Sequence, residues 1–265
     1  MGTGLVGIIL LLTVSQCVLA AFCQSFFYHR YASHRHCTMS AGAERGFFIL
    51  TWIALGPGYM TVWVYAVMHR LHHKHSDTDD DPHPAHLGIF GMLRGMVAAN
   101  LAISQGKYAY LPGDEPIRDA VRRLPRWDWF ERIAASYWMR AAWAFLYFGV
   151  YWVLGLGGWW YGLLVLNVFM GPIHGFAINY FGHFLGYRNH ETNDTSTNIG
   201  SRILPYWMKV LLSLLLGGEE KHNNHHDKQG RPNFAHTADE VDTTFAAMRL
   251  LDRLGIIRLR PSPAS

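Results

Sequence analysis

The stretch HRLHHKHSDTDDDPH, from His69 to His83, holds five histidines and four aspartates within fifteen residues. It follows directly after an apolar segment at 47–68. Imidazole is the commonest protein ligand of transition metals. His69, His72 and His73 stand at positions i, i+3 and i+4, which share one face of a helix. The stretch therefore predicts a helix whose last turns face a metal site.

The composition around this stretch is that of a membrane protein. Half of the 265 residues are hydrophobic and 16% are charged, whereas soluble domains average roughly 25% charged residues. Ten Trp, thirteen Tyr and fifteen Phe suit a broad lipid or interfacial surface. Cys17, Cys23 and Cys37 form no CxxC pair, and we expect free thiols rather than a disulfide framework.

Apolar runs predict three membrane-spanning helices, at 4–28, 136–156 and 159–181. No Asp, Glu, Lys or Arg occurs from Met1 to His29, and a second charge-free run extends from Ala141 to Tyr187. A span needs about 20 apolar residues, so the second run is long enough for most of two crossings joined by a tight turn. The first run lacks a basic n-region and a clear cleavage site, which favours a retained helix over a signal peptide.

A fourth apolar segment, 47–68, is long enough to span by count, but Gly56-Pro57-Gly58 interrupts it. We expect it to be re-entrant or interfacial. The positive-inside rule places the basic segments 29–135 and 182–265 in the cytoplasm and the N-terminus outside. The chain is thus predicted to be an all-α integral membrane protein, a single membrane-embedded domain over 1–265 with a cytoplasmic helical cap that carries a histidine-rich dimetal site.

Further histidine groups lie in those cytoplasmic segments or at the end of the last predicted span. Asn179 and His183 are one helical turn apart, so they share a face. His29 and His34 are five apart, a poor match to one α-helical face, so a bend or a helix end must bring them together. The groups are HRYASH (His29–His34), HRLHH (His69–His73), NYFGH (Asn179–His183) and HNNHH (His222–His226).

The number of histidines indicates more than one ion. A single HxxHH motif is also typical of a polar helix at a membrane interface, but repetition on one side of the membrane favours a shared site. Zinc takes four ligands and octahedral metals take six, so nine imidazoles with an Asn suit two metal ions. Imidazole binds Zn, Cu, Fe and Ni, so the ligand type leaves the metal open.

The ordered motifs HRYASH, HRLHHKHSDTDDDPH, NYFGH and GGEEKHNNHH resemble those of the integral-membrane fatty acyl desaturases of the stearoyl-CoA, Δ9-like type. The resemblance extends from His29 to about Asn233. It implies two iron ions, O₂ as co-substrate and desaturation of a long-chain fatty acyl group. By the same resemblance, the iron ligands are His29, His34, His69, His72, His73, His183, His222, His225 and His226, with Asn179 bound through water.

The resemblance also bears on partners. The acyl chain would be carried by CoA, acyl carrier protein or a phospholipid. No GxGxxG turn or haem motif is evident, so two electrons would come from a separate donor such as a ferredoxin or a cytochrome b5-like protein. The arginine-rich stretch RDAVRRLPRWDWFER adjoins a predicted span, which argues against nucleic acid and for an interfacial anchor or an anionic head-group site.

Two further functions remain open at this point. One is a related histidine-rich di-iron hydroxylase acting on alkanes or lipids, and the other is a membrane metal-binding or transport protein without catalysis. Two sets of residues complete the predictions. Carboxylates expected to orient the imidazoles are Asp77, Asp80, Asp81 and Glu220. Aromatic residues expected to line an acyl tunnel are Trp52, Tyr59, Trp63, Phe169 and Tyr180.

Overall fold

The computed structural model describes residues 3–108 and 110–261. Within these residues the chain is mostly helical, and its regular β-structure is one short pair of strands. The strands are β1 (Cys37–Met39) and β2 (Ile257–Leu259). The helices are α1 (Thr3–Cys23), α2 (Ala41–Leu55), α3 (Val62–His75), α4 (Gly88–Ser104), α5 (Glu115–Val121), α6 (Asp128–Ala134), α7 (Tyr137–Val153), α8 (Tyr161–Phe181), α9 (Tyr206–Leu216), α10 (His222–Asp227) and α11 (Thr243–Arg253).

Helix α1 changes type at its end instead of stopping. Residues Gln24–Ser33 continue it as a π-helix, in which each backbone N–H bonds the carbonyl five residues earlier. The N–H of His34 donates to the carbonyl oxygen of His29 at 3.0 Å, which closes one such turn. Residues five apart therefore lie above one another. The π-helix supplies the bend or helix end that the spacing of the first histidine motif requires.

Helices α2 and α3 form a bent pair whose axes meet at 77°. The 3₁₀ turn Gly56–Gly58 separates them, so the predicted interruption of segment 47–68 is confirmed. Gly56 has a φ of +51°, and a Cβ there would lie 2.6 Å from the Tyr147 hydroxyl oxygen, so the turn requires glycine. The Arg140 guanidinium donates to two carbonyl oxygens of this connection, at 2.9 and 2.7 Å.

Three helical stretches are long and apolar enough to cross a membrane: Gly7–Ser33, Ala85–Ser104 and Tyr161–Phe181. The first and the third correspond to the predicted spans 4–28 and 159–181. These helices and the histidine-rich clusters described below agree with a mostly helical membrane protein.

The second candidate differs from the sequence prediction. The segment 136–156 forms α7 over 17 residues, about 26 Å, which is less than a hydrocarbon core of roughly 30 Å. Helix α4 belongs to the stretch that we expected in the cytoplasm, yet it carries only one charge, Arg94. Its Phe90 and Val97 side chains are exposed, as on a lipid-facing helix. An assignment of cytoplasmic segments by charge misplaces a long apolar helix of this kind, which carries a single charge.

The C-terminal part of the chain packs against the end of α1. Strand β1 pairs antiparallel with β2, with Cys37 opposite Leu259. The fully buried Arg30 guanidinium donates to Asp242 at 3.0 Å and lies 3.9 Å above the Phe234 ring. These contacts fix the π-helix to the C-terminal region. All three cysteines are free, as predicted.

Candidate metal centre

Five imidazoles meet where the π-helix, α3 and α10 approach one another. Their possible ligand atoms all lie within 4.8 Å of one another. The Nε2 atoms of His29 and His225 are 3.0 Å apart, and those of His34 and His69 are 2.8 Å apart. The Nε2 atom of His73 lies 2.8 Å from that of His225. We call these residues the five-histidine group.

Four more imidazoles form a second group with the same spacing limit, and all four are buried. The Nε2 atoms of His183 and His222 are 3.2 Å apart. The Nε2 atoms of His72 and His226 are buried without a hydrogen-bond partner. The ring centroids of His226 and His73 lie 4.4 Å apart, so this four-histidine group is the immediate neighbour of the first.

The two groups together hold all nine predicted histidines, but they divide each HxxHH motif. On α3, His69 and His73 face the five-histidine group while His72 faces the other. Successive residues of an α-helix point roughly 100° apart, so positions i and i+4 nearly align and position i+3 points to the other side of i. Helix α10 divides its histidines in the same way, with His225 alone in the five-histidine group.

Carboxylates contact the Nδ1 atoms of four of these imidazoles. A carboxylate at one ring nitrogen fixes the tautomer and directs the other nitrogen toward a metal. The sequence predicted this contact for Asp77 and Asp81 but missed Asp194 and Glu219, which no local spacing connects to their histidines. The pairs are His72 with Asp81 (2.9 Å), His183 with Asp77 (3.1 Å), His226 with Asp194 (2.6 Å) and His29 with Glu219 (2.6 Å).

The other two predicted carboxylates do not take this role. Asp80 is exposed, and among the described residues no hydrogen bond or ion pair joins it to a histidine. Glu220 is buried 3.6 Å from Lys221 and contacts no histidine of either group within the described residues. Burial raises the pKa of Glu220 to about 7.

The arrangement of nitrogen atoms fits two metal ions better than it fits hydrogen bonding among the rings. A neutral imidazole nitrogen carries either one hydrogen or one lone pair. Yet the Nε2 atom of His73 faces two others, those of His69 at 2.9 Å and His225 at 2.8 Å. An ion with metal–nitrogen distances of roughly 2.1 Å holds ligands at right angles about 3 Å apart. The unpartnered Nε2 atoms of His72 and His226 match the same need for a cation.

Burial lowers the pKa of six of the nine clustered imidazoles, which favours the neutral ring that binds metal. Burial has the same effect on His72, but the Asp81 carboxylate outweighs it and raises the pKa of that ring. Burial, followed by the neighbouring rings, lowers the pKa of His222 and His225 well below the ordinary value. Burial also lowers the pKa of His226 to about 4. Burial alone would raise the pKa of Asp77, but hydrogen bonds from His183 and Thr195 bring it down to about 2. At neutral pH, the His226 ring is therefore neutral and the Asp77 carboxylate is ionised.

A glycine turn brings Glu219 to the five-histidine group. Gly217 and Gly218, which follow α9, have φ values of +67° and +79°. A Cβ at Gly218 would lie 2.5 Å from Oδ1 of Asp242, so a side chain there would displace a buried carboxylate. Ser25 of the π-helix donates to Glu219 from the opposite side. The paired glycines ahead of the last histidine motif were the sequence signal for this turn.

A cavity of about 1000 Å³ adjoins the four-histidine group. His83 lies on its wall, with its ring centroid 5.0 Å from that of His72. Met68, Met96 and Val97 give the cavity apolar walls, and Arg126 and Arg132 also line it. Because the two arginines are exposed, they mark a side on which the cavity opens.

Asn179 lies on the cavity wall, one turn before His183 on α8. Its Nδ2 atom donates to the carbonyl oxygen of Gly175 at 2.7 Å. Its proposed contact with a metal through water stays a prediction. Of the five aromatic residues expected to line a tunnel, Tyr59 and Trp63 line this cavity. The other three are absent from its described lining: Trp52 packs on Trp143, Tyr180 stacks on Phe176, and Phe169 is exposed.

Sequence comparisons agree with this geometry. The sequence model of the fatty acid desaturase family matches residues 7–238. The chain is 30% identical to an sn-1 stearoyl-lipid 9-desaturase of Synechocystis sp. over 89% of its own length and 67% of the relative's. It is 28% identical to an sn-1 stearoyl-lipid 9-desaturase of Anabaena variabilis, over 86% and 75%. It is also 28% identical to the Delta-9 desaturase-like 4 protein of Arabidopsis thaliana, over 88% and 69%.

The family match covers most of the chain and contains all nine clustered histidines. The motifs that suggested the resemblance are therefore parts of one extended similarity and do not stand alone. From this similarity and the convergent imidazoles, we conclude that the chain belongs to the fatty acid desaturase family and is an oxidoreductase.

Proposed function

We propose that this protein is an O₂-dependent di-iron desaturase that introduces a double bond into a long-chain fatty acyl group. The observation that carries the proposal is the pair of neighbouring histidine groups beside a mainly apolar cavity. A metal-storage or transport protein needs no long apolar cavity next to its ions. The relatives named as stearoyl-lipid 9-desaturases support a saturated C18-type acyl chain as the substrate class.

The balanced reaction is R–CH₂–CH₂–R′ + O₂ + 2 e⁻ + 2 H⁺ → R–CH=CH–R′ + 2 H₂O. Two C–H bonds break, one C–C π bond forms, and O₂ is reduced to water with two electrons from a separate donor. When bound, the two irons would supply the oxygen activation that an unactivated methylene requires. The protein would hold them through His29, His34, His69, His72, His73, His183, His222, His225 and His226, with Asn179 acting through water.

The chain's own residues do the positioning. Asp77, Asp81, Asp194 and Glu219 hold their partner imidazoles in one tautomer and orientation. The cavity walls hold the acyl chain so that one C–C bond passes the four-histidine group, and this orientation provides much of the regioselectivity. The same apolar walls keep bulk water away from the reacting carbons.

Charge distribution supports the membrane orientation. Positively charged residues cluster in the segments around the histidine motifs, so the metal centre and the C-terminus would lie in the cytoplasm with the N-terminus outside. The bent pair α2–α3 would then be re-entrant, because both of its ends lie near the histidine groups. In this arrangement residues 1–265 act as one membrane-embedded domain.

The deciding experiment is lipid profiling by gas chromatography and mass spectrometry in a host without its own desaturases. Expression of the chain is expected to produce monounsaturated acyl chains, and His72→Ala is expected to abolish them. The matched control is His86→Ala, since His86 is partly exposed and faces neither histidine group. Hydroxylated chains without new alkenes would assign the chain to the related hydroxylases. No acyl product, with no iron in the purified protein, would leave only a non-catalytic metal-binding role.

A further inference from the structure

Two histidines of the five-histidine group approach the protein surface. His34 and His73 are half-buried, whereas the other seven clustered imidazoles are buried. Electron transfer between proteins weakens steeply with distance, so the entry point for electrons is the place where the centre lies nearest to solvent. In this chain that place is the edge of the five-histidine group formed by His34 and His73.

A set of arginines and a lysine surrounds His34, and we call it the basic patch. The Arg35 guanidinium donates to the carbonyl oxygen of Arg123 at 2.7 Å. Arg35 and Arg70 lie within electrostatic reach of each other, and Arg70 acts on His34 as well. The patch consists of Arg35, Arg70, Arg123, Lys228, Arg231 and Arg260.

The last three members join the patch through His36. The carbonyl oxygen of Gln229 lies 2.8 Å from Nε2 of His36, which places the turn from Lys228 to Arg231 beside it. The backbone N–H of Arg260 donates to the carbonyl oxygen of His36 at 2.8 Å. His36 itself stacks on His34, with ring centroids 5.4 Å apart.

The patch is not neutralised within the described part of the chain. None of its six side chains has a carboxylate within the 4.0 Å limit of a salt bridge. The Nε atom of Arg70 is buried without a hydrogen-bond partner. Crowded like charges without counter-ions destabilise a fold, so their presence here indicates that something else neutralises them.

The backbone of Arg35 is also strained. Its φ of +58° lies in the left-handed region, which is uncommon for a residue other than glycine. Such backbone strain clusters at functional sites. The strained backbone presents a charged side chain beside His34.

The patch faces water rather than lipid. The exposed large hydrophobic residues of the described chain fall at Ile8–Val14, Ile49–Ile53, Leu87–Leu101, Trp129–Leu215 and Leu250–Ile256. None of these ranges contains a member of the basic patch. The occupant is therefore a water-soluble anionic partner and not a bilayer surface.

We infer that the basic patch is the docking surface for an acidic, one-electron redox protein that reduces the metal centre through the His34 edge. This inference rests on the proposed function and adds to it the site and the charge of the electron donor. Opposite charges steer such transient complexes and mainly set their association rate, which falls as salt rises. Transient complexes between redox proteins have small interfaces. The six cations of the basic patch are sufficient for an interface of that size.

The test measures binding without turnover. The full-length protein in lipid nanodiscs is titrated with an oxidised, acidic plant-type [2Fe–2S] ferredoxin at low and at physiological salt. We expect salt-sensitive binding, a dissociation constant about tenfold higher for the double variant Arg35→Gly/Arg70→Gln, and a flatter salt dependence. Glycine at position 35 keeps the left-handed backbone without strain, so this substitution removes charge and spares the fold.

The control is Arg94→Gln, which removes one exposed charge from α4, away from the patch. It is expected to bind as the unaltered protein does. Equal ferredoxin affinity of the double variant and the unaltered protein would overturn the inference. The lipid profile tests the proposed function independently. A chain that makes alkenes but does not bind the ferredoxin would therefore contradict the docking site and leave the proposed function standing.

Discussion

Oδ2 of Asp194 lies 2.6 Å from Nδ1 of His226, although 32 residues separate them in the chain. This contact directs the unpartnered Nε2 atom of His226 into the four-histidine group. Thr192 donates to the other carboxylate oxygen at 2.7 Å and holds Asp194 in place. The loop between α8 and α9 thus helps to build the candidate metal centre.

Replacing Asp194 by Asn should weaken metal binding and leave the fold intact. Loss of a carboxylate behind a metal-bound imidazole typically reduces metal affinity about 10–100-fold. Iron per chain, measured by mass spectrometry after competition with a chelator, is expected to fall for Asp194→Asn. The exposed Asp80→Asn is the control, and it should keep its iron. Equal iron retention in both variants would remove Asp194 from the centre.

Removal of metal should destabilise the protein. Nine imidazoles packed around two ions would lose their shared ligand, and buried polar atoms without partners cost roughly 1–3 kcal/mol each. Thermal unfolding in detergent is expected to occur at a lower temperature after chelation and to recover when Fe²⁺ is added back. An unfolding temperature that is unchanged by chelation would contradict a structural contribution of the ions.

Narrowing the cavity should change which acyl chains react. A Cβ at Gly175 would lie 3.9 Å from the Cε atom of Met96, so Gly175→Leu fits the backbone and extends into the cavity. Each methylene that no longer fits costs roughly 1–3 kcal/mol, so long chains should be disfavoured about tenfold or more relative to short ones.

Competition between acyl substrates of different length measures this selectivity. Gly149→Leu is the matched control, because no atom lies within 4 Å of a Cβ at position 149. A selectivity shift in both variants, or in neither, would show that the cavity does not hold the acyl chain.

Stability should fall as pH rises through the range set by Glu131. Burial raises the pKa of Glu131 to about 7, even though it accepts a hydrogen bond from the Val62 N–H at 2.6 Å. The folded state therefore holds a proton that the unfolded state loses near its ordinary pKa of 4.5. Between these values folding binds a proton, so the free energy of unfolding decreases with rising pH.

The variant Glu131→Gln removes this dependence. At pH 8 it is expected to unfold at a temperature about 4 °C higher than the unaltered protein, which corresponds to about 1–2 kcal/mol at this chain length. At pH 4.5 the two proteins should unfold alike. An unaltered protein whose unfolding temperature is flat from pH 5 to pH 7 would show that Glu131 is not held protonated.

The candidate centre was predictable in its membership but not in its organisation. Spacings of three and four residues are local properties of a helix, so the motifs HRLHH and HNNHH predicted directly that their imidazoles cluster. The assignment of His72 to one group and His73 to the other depends on where the partner helices lie. For the same reason Asp77 and Asp81, which share a loop with the second motif, were found from sequence, while Asp194 and Glu219 were not.

The sequence by itself determined the helical class, two of the three apolar helices, the break at Gly56-Pro57-Gly58 and the nine histidines, because hydropathy, glycine geometry and helical periodicity act over a few residues. Tertiary structure decided the rest. It stacked His34 on the turn of His29 through a π-helix and set distant carboxylates behind the imidazoles. Those features arise from packing between segments far apart in the chain, and no local pattern encodes such contacts.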